Sequence, residues 1–358
     1  MVESVKKLVL VSGASGYLAG YVIKDLLESG YRVRGTVRKL ADKSKYEHLL
    51  SLPGASTETL EFCEAELTTP QGWEEACKGC EFVMHVASPL LLNIPKDYQN
   101  ELIKPAVEGT KNVLAAALKA GVKKVVVTSS IAAVDPGPKK AVPGEIINES
   151  HWADFETANP YEKSKYAAER EVWKFYEEHK DKMEIATVNP GFIIGPVMSK
   201  KAAASPTLII RIMNNNMPGI PKMSFPFVDV RDVARAHILA LENPNANGKR
   251  HILAAKTLWL LEAAEILKKE FEPQGFTIPT RAIGKCPLQF AGVFDPQVKL
   301  IINYIGYSLQ VDNTRSTEVL GLKYHEADES LKAMGYALID IGLVEDKRKK
   351  AKRGGCWY

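Results

Sequence analysis

The sequence predicts an α/β protein, a doubly wound parallel sheet with a smaller C-terminal lobe. Three observations carry that expectation. Short apolar runs alternate with stretches of helical spacing roughly every thirty residues, the length of a βαβ unit. The first run, Leu8-Val9-Leu10-Val11, is apolar throughout, as suits a strand covered on both faces. It stops at a glycine-spaced turn, Gly13-Ala14-Ser15-Gly16, from which helical spacing runs from Tyr17 to Leu27.

Taken in order, Arg32 to Arg38 alternates as a second strand, and Lys39 to Leu52 is polar with helical apolar spacing (Tyr46, Leu49, Leu50) before Pro53-Gly54. Leu60 to Ala65 reads as a third strand, Gln71 to Lys78 as a short helix, and Phe82 to Ala87 as a fourth strand. Asp97 to Ala120 is a long helix that Pro105 either kinks or truly begins. Lys124 to Thr128 is a fifth strand, Tyr161 to His179 a helix, and Ile185 to Asn189 a sixth strand closed by Pro190-Gly191. Phe227 to Val230 enters a helix through Asp232 to Leu241, and Leu258 to Phe271 is another. Residues 1–195 are expected to form the dinucleotide-binding unit, with 226–255 returning to it. Residues 196–225 and 256–345 form the substrate lobe, and 346–358 a basic tail.

Composition excludes several classes. The chain has 358 residues, 46% hydrophobic and 25% charged, as in an ordinary globular protein. No apolar run approaches the ~20 residues of a membrane span, and the first strand begins too early to leave room for a signal peptide. The net charge of +4 is local: Glu345 to Arg353 holds six basic and two acidic residues, so the rest sums to zero. A basic face for nucleic acid is not expected. Five scattered cysteines point to a reducing, cytoplasmic setting. Cys77-x-x-Cys80 lacks the second ligand pair that zinc needs, so no metal is expected. His85 and His237 read as structural.

The chemistry sits where ligands of such sheets bind, at the carboxyl ends of the strands. That singles out Gly13, Ser15 and Gly16, then Arg38, Glu66-Leu67, Ala87-Ser88-Pro89, Ser129-Ser130 and Pro190-Gly191. A glycine turn before a helix lets backbone N–H groups hold a diphosphate. Arg38 ends the second strand with Lys39, Lys43 and Lys45 behind it, which suits a ribose 2′-phosphate and hence NADP(H) over NAD(H). Asn159-Pro160 is a helix start, placing Tyr161 and Lys165 on one face of the first turns. A phenol needs a cation to act near neutral pH, and Lys165 supplies one. Ser130 is placed to bond the same carbonyl oxygen as Tyr161.

With these residues in hand, the chain resembles the extended short-chain dehydrogenases/reductases, in the branch of dihydroflavonol reductases, cinnamoyl-CoA reductases and microbial NADPH-dependent aldehyde/ketone reductases. VSGASGYLAG, HVASP, VVVTSSIAAV, NPYEKSK, VNPGFIIGP and FVDVRDVARAHILALE carry the resemblance between Leu8 and Glu242. It implies a Rossmann fold, catalytic Ser130, Tyr161 and Lys165, and a 2′-phosphate held by Arg38 and Lys45. It puts Glu66-Leu67 on the adenine side and Ala87 and Pro190-Gly191 beside the nicotinamide. Tyr17, Leu18, Ser88, Thr128 and Ile193 complete the implied cofactor set. Leu90, Ile131, Phe192, Met217 and Phe225 are the residues expected to face a carbonyl substrate. Ala106 stands where many extended members carry asparagine, and Glu66 where aspartate is usual. The expected activity is NADPH-dependent reduction of a small aldehyde or ketone by a monomer or homodimer. A hydroxysteroid-type dehydrogenase, an acyl-CoA reductase and an NADPH-sensing regulator stand as alternatives.

Overall fold

A computed structural model describes residues 7–89, 95–200, 206–291 and 301–348. β1 (Leu8–Val11) is buried along its whole length. α1 (Tyr17–Glu28) begins at Gly16 with no side-chain cap and no acid in its first turn. β2 (Arg32–Val37) and β3 (Leu60–Glu64) follow, then α2 (Trp73–Cys77) and β4 (Phe82–His85). A π-helical turn, Gln99–Ile103, leads into α3 (Lys104–Lys119), so Pro105 marks the start of the regular α-helix. β5 (Lys124–Thr128), α4 (Pro160–His179) and β6 (Glu184–Pro190) complete the regular alternation.

Beyond it lie β7 (Phe192–Ile194), α5 (Thr207–Met213), β8 (Ile220–Pro221), β9 (Ser224–Asp229), α6 (Val230–Glu242), β10 (Lys249–Leu253), β11 (Lys256–Trp259) and α7 (Leu260–Phe271). Seven parallel strands form the main sheet in the order β10-β6-β5-β4-β1-β2-β3. Alternation along the strands divides its core into two layers. Val9, Val11, Met84, Val126 and Val188 face α1 and α6 in one. Leu8, Leu10, Val83, Val125 and Ile185 face α3 and α4 in the other. The strand order reverses between β1 and β4, which opens a crevice at their carboxyl ends.

Four local expectations are corrected. Lys39 to Leu52 forms only two 3-10 turns, Lys43–Lys45 and Glu47–Ser51. Tyr46 and Leu49 are buried but Leu50 is 53% exposed, so no continuous apolar stripe exists to hold an α-helix. Leu258 and Trp259 belong to β11, not to the helix after it. β4 stops at His85, because Ser12 takes the Ala87 N–H. β6 runs on to Pro190, which pairs with Leu253 of β10 after β5 has ended. A second sheet, β11-β9-β7, was not legible in the sequence. Among the described residues no helix is long and apolar enough to cross a membrane.

Candidate active site

The turn after β1 is shaped by its neighbours. Gly13 has φ +69°, and a Cβ there would lie 2.9 Å from Ala87 Cβ, so β1 and β4 meet too closely for any side chain at that point. Its N–H donates to Thr36 Oγ1 at 3.0 Å. Gly16 N–H closes the turn onto Gly13 O at 2.9 Å. The uncapped start of α1 leaves its first N–H groups, those of Tyr17 and Leu18 among them, free for an anion. The Tyr17 side chain points elsewhere and donates to Gly195 O at 2.8 Å. Ser15 is half-buried at the same turn.

At the end of β2, Arg38 is exposed and forms no hydrogen bond or ion pair among the described residues. Lys45 differs, pairing with Asp42 at 3.5 Å. Glu66 is exposed, and its carbonyl accepts from Trp73 Nε1 at 2.9 Å. Leu67 is held by Asn112 Nδ2, which donates to its carbonyl at 2.9 Å. Ser12 Oγ accepts the Ala87 N–H at 2.9 Å and bonds His85 Nδ1 at 2.9 Å. Burial, then the charge of Lys165, pushes His85 down to about 3, so the ring is neutral. Ser88 is half-buried beside Ala87. Thr128 Oγ1 bonds His237 Nε2 at 2.6 Å, and His237, also neutral by burial, spends Nδ1 on Val233 O.

α4 starts on the expected cap. Asn159 Oδ1 accepts Glu162 N–H at 3.0 Å while Glu162 Oε2 accepts Asn159 N–H at 2.8 Å, a full capping box. Tyr161 sits inside it. Lys165 follows one turn later with Nζ 6.0 Å from the Tyr161 ring centre. That ammonium is 92% buried by residue and has no carboxylate partner or hydrogen bond among the described residues. A buried cation without a counter-charge is costly unless something binds it.

The two serines after β5 are not equivalent. Ser129 Oγ donates to Glu169 Oε2 at 2.5 Å and is spent. Ser130 Oγ only accepts, from Ala132 N–H at 3.1 Å, which leaves its own proton free for a further hydrogen bond. Asn189 Nδ2 donates both to Ser130 O at 3.2 Å and to Glu169 Oε2 at 2.7 Å. Glu169, 1% exposed, also accepts from Arg250 Nε at 2.6 Å. Arg250 of β10 lies 3.8 Å from the Trp152 ring centre. Glu169, Asn189 and Arg250 went unnoticed in the sequence because they are far apart along it. The spacing of Lys165 and Glu169, one turn apart on α4, was the one local signal available.

A cleft with about 370 Å³ of empty space, open solvent included, lies between the ends of β4 and β5 and the helices α3 and α4. It is lined among others by Leu67, Ala87, Ser88, Thr128, Ser129 and Lys165; Gly13, Arg38, Ser130 and Tyr161 do not line it. At Gly191 a Cβ would be 2.0 Å from Pro226 O, so only glycine lets the chain entering β7 come close to β9. Pro190 ends β6, and Ile193 pairs with Val228 in the second sheet. Phe192 and Phe225 meet with ring centres 5.2 Å apart. Met217 packs on the same core, whereas Ile131 packs in a separate cluster with Val134 and Leu309. Leu90 lies outside the described residues. Cys63, Cys77 and Cys80 are free thiols raised by burial to about 11, 12 and 11.

The model of the NAD dependent epimerase/dehydratase family matches residues 9–255. The chain belongs to that family. Among its relatives, cinnamoyl-CoA reductase CAD2 of Medicago truncatula is 39% identical over 267 residues, which span 73% of this chain and 80% of that protein. Cinnamoyl-CoA reductase 1 of Petunia hybrida is 39% identical across 77% of this chain and 80% of its own. Among solved structures, yeast methylglyoxal/isovaleraldehyde reductase Gre2 complexed with NADPH superposes with a TM-score of 0.76 at 26% identity, covering 94% of this chain and 99% of that one. The reductase branch expected from the motifs is therefore the branch to which the chain is similar.

Proposed function

We propose that the protein is an NADPH-dependent reductase of aldehydes or ketones, with Tyr161 as proton donor, Lys165 as its cation and Ser130 as a second donor to the substrate oxygen. The unpaired, buried Lys165 ammonium beside the Tyr161 ring carries this reading. The residues fit a dinucleotide: the Gly13 cradle admits no side chain, the start of α1 offers uncapped N–H groups, and Arg38 stands exposed with no partner. When bound, the reduced nicotinamide supplies the hydride. Ser130 donates a hydrogen bond to the carbonyl oxygen and orients it, keeping its proton. Tyr161 gives up its phenolic proton to that oxygen, leaving an alcohol, and Lys165 stabilises the phenolate left behind. Arg38, with Lys45 in support, accepts the 2′-phosphate.

Residues 196–225 and 256–345 form the substrate lobe in this reading, with Phe192 and Phe225 as its aromatic wall. The free thiols fit a reducing, cytosolic setting. The 39% identity to cinnamoyl-CoA reductases favours a second substrate class, an acyl-CoA thioester.

The test is oxidation of NADPH against methylglyoxal, isovaleraldehyde, cinnamaldehyde and cinnamoyl-CoA, with release of coenzyme A followed in parallel. Turnover of the aldehydes supports the first reading, and release of coenzyme A the second. Tyr161→Phe is expected to lower kcat by about 10²–10⁴-fold while NADPH still binds. A variant that keeps most of its turnover would refute the assignment of Tyr161.

A further inference from the structure

Two tyrosines from the C-terminal part of the chain reach the catalytic elements from outside. Tyr304 donates its phenolic proton to Glu162 Oε2 at 2.6 Å and accepts from Asn159 Nδ2 at 3.3 Å. Those two residues are the capping box of α4, with Tyr161 between them. Tyr307, three residues on, donates to Asp135 Oδ1 at 2.7 Å. Asp135 closes the short turn that Ser130 opens, through Asp135 N–H to Ile131 O at 2.9 Å. The two rings lie 6.4 Å apart, edge to face.

The Ser130 turn and the start of α4 pack together, yet among the described residues no side-chain hydrogen bond runs directly between 130–135 and 159–162. The tyrosines make that link. Their own segment is fastened on both sides: to the lobe, where Gly306 N–H donates to Lys222 O at 2.8 Å and Ser224 Oγ to Tyr307 O at 3.3 Å, and to the first unit, where Leu309 is buried against Val134 and Ile147. Burial raises both acids, Glu162 to about 7. A buried carboxyl without a donor is costly, so each phenol is the group that lets an acid stay in this wall.

We propose that Tyr304 and Tyr307 are positioning residues, a clamp that sets the separation of the Tyr161 and Ser130 hydroxyls while residues 301–312 are docked. The proposal rests on reading Tyr161 and Ser130 as catalytic. Two donors that must converge on one oxygen tolerate little displacement, so the docking of residues 301–312 is tied to the geometry of proton transfer.

Tyr304→Phe and Tyr307→Phe keep the rings and delete the hydroxyls. With NADPH and whichever aldehyde of the panel turns over fastest, Tyr304→Phe is expected to lower kcat about tenfold and leave the KM for NADPH within about twofold. Amides 161–165 should exchange hydrogen faster in that variant. On a Glu162→Gln background, adding Tyr304→Phe should cost less than about twofold more, because the bond is already weakened. A lower Tm with unchanged kcat, or equal losses on both backgrounds, overturns the clamp. The exchange measurement separates the two readings. Unchanged exchange sinks the clamp whatever Tyr161 does, whereas active Tyr161→Phe enzyme sinks the catalytic reading and with it the clamp's role in proton transfer.

Discussion

The two ends of the crevice are built in opposite ways. At the end proposed for the diphosphate the available groups are backbone N–H groups at the start of α1 and an exposed arginine, Arg38. At the end proposed for catalysis Ser130 and Lys165 are each 8% exposed, and Glu169, Asn189 and Arg250 lock the turn behind them. The difference follows from the task. A large polyanion can be held by adaptable cations, because charge attraction varies slowly with distance. Proton transfer requires fixed donor positions, and a buried, fully bonded network behind the donors supplies them.

The largest effect expected from this contrast is in stability at the catalytic end. Glu169→Ala strands a buried guanidinium and frees Ser129, and should cost about 3–5 kcal/mol in urea unfolding. A loss below about 1 kcal/mol, as at a surface pair, would erase the contrast. Acid should act on the same half. His85, His237 and His251 are held by burial at about 3, 4 and 4 in the folded chain, below their ordinary 6.5. The unfolded chain therefore binds more protons in that window. Stability is full above pH 6.5 and falls as pH drops toward 4, by at most about 1.4 kcal/mol per unit for each histidine. His237→Gln should make urea midpoints less steep in pH.

The open end should respond more gently. Arg38→Ala is expected to raise the KM for NADPH about tenfold and leave that for NADH unchanged, a loss of one charge-assisted contact. An equal change for both cofactors would place Arg38 away from the 2′-phosphate. Lys45→Ala should raise the KM for NADPH less than about threefold, since Asp42 already takes part of its charge.

Legibility in the sequence follows the range of the forces involved. The glycine turn, the helix that follows it and the Asn159-Pro160 start of α4 are set by residues within a few positions of one another, and each was readable. So were the buried strands, whose alternation into two layers is a local property. The pairing of Glu169 with Arg250 spans 81 positions, and that of Tyr304 with Glu162 spans 142. No local pattern announces either. The segment Lys39 to Leu52 misled for a related reason: helical spacing over one turn cannot say whether a core surface waits for it. The division of labour between Ser129 and Ser130 depends on a carboxylate forty residues away.

The position of Arg250 also bears on how the chain is made. Synthesis delivers Glu169 to the helix facing the sheet long before β10 leaves the ribosome. Until then that carboxylate has only neutral donors, and the edge of β6 that receives Lys249–Leu253 is open. The sheet is thus finished by a strand made after residues 196–225 but before 256–345, and its long-range pairing with β6 slows folding. A nascent chain halted before residue 250 would carry the Glu169 carboxylate beside Ser129 without its arginine partner. Arrival of β10 and compensation of the Glu169 carboxylate are one event, with the chain from Ala254 onward still to be made.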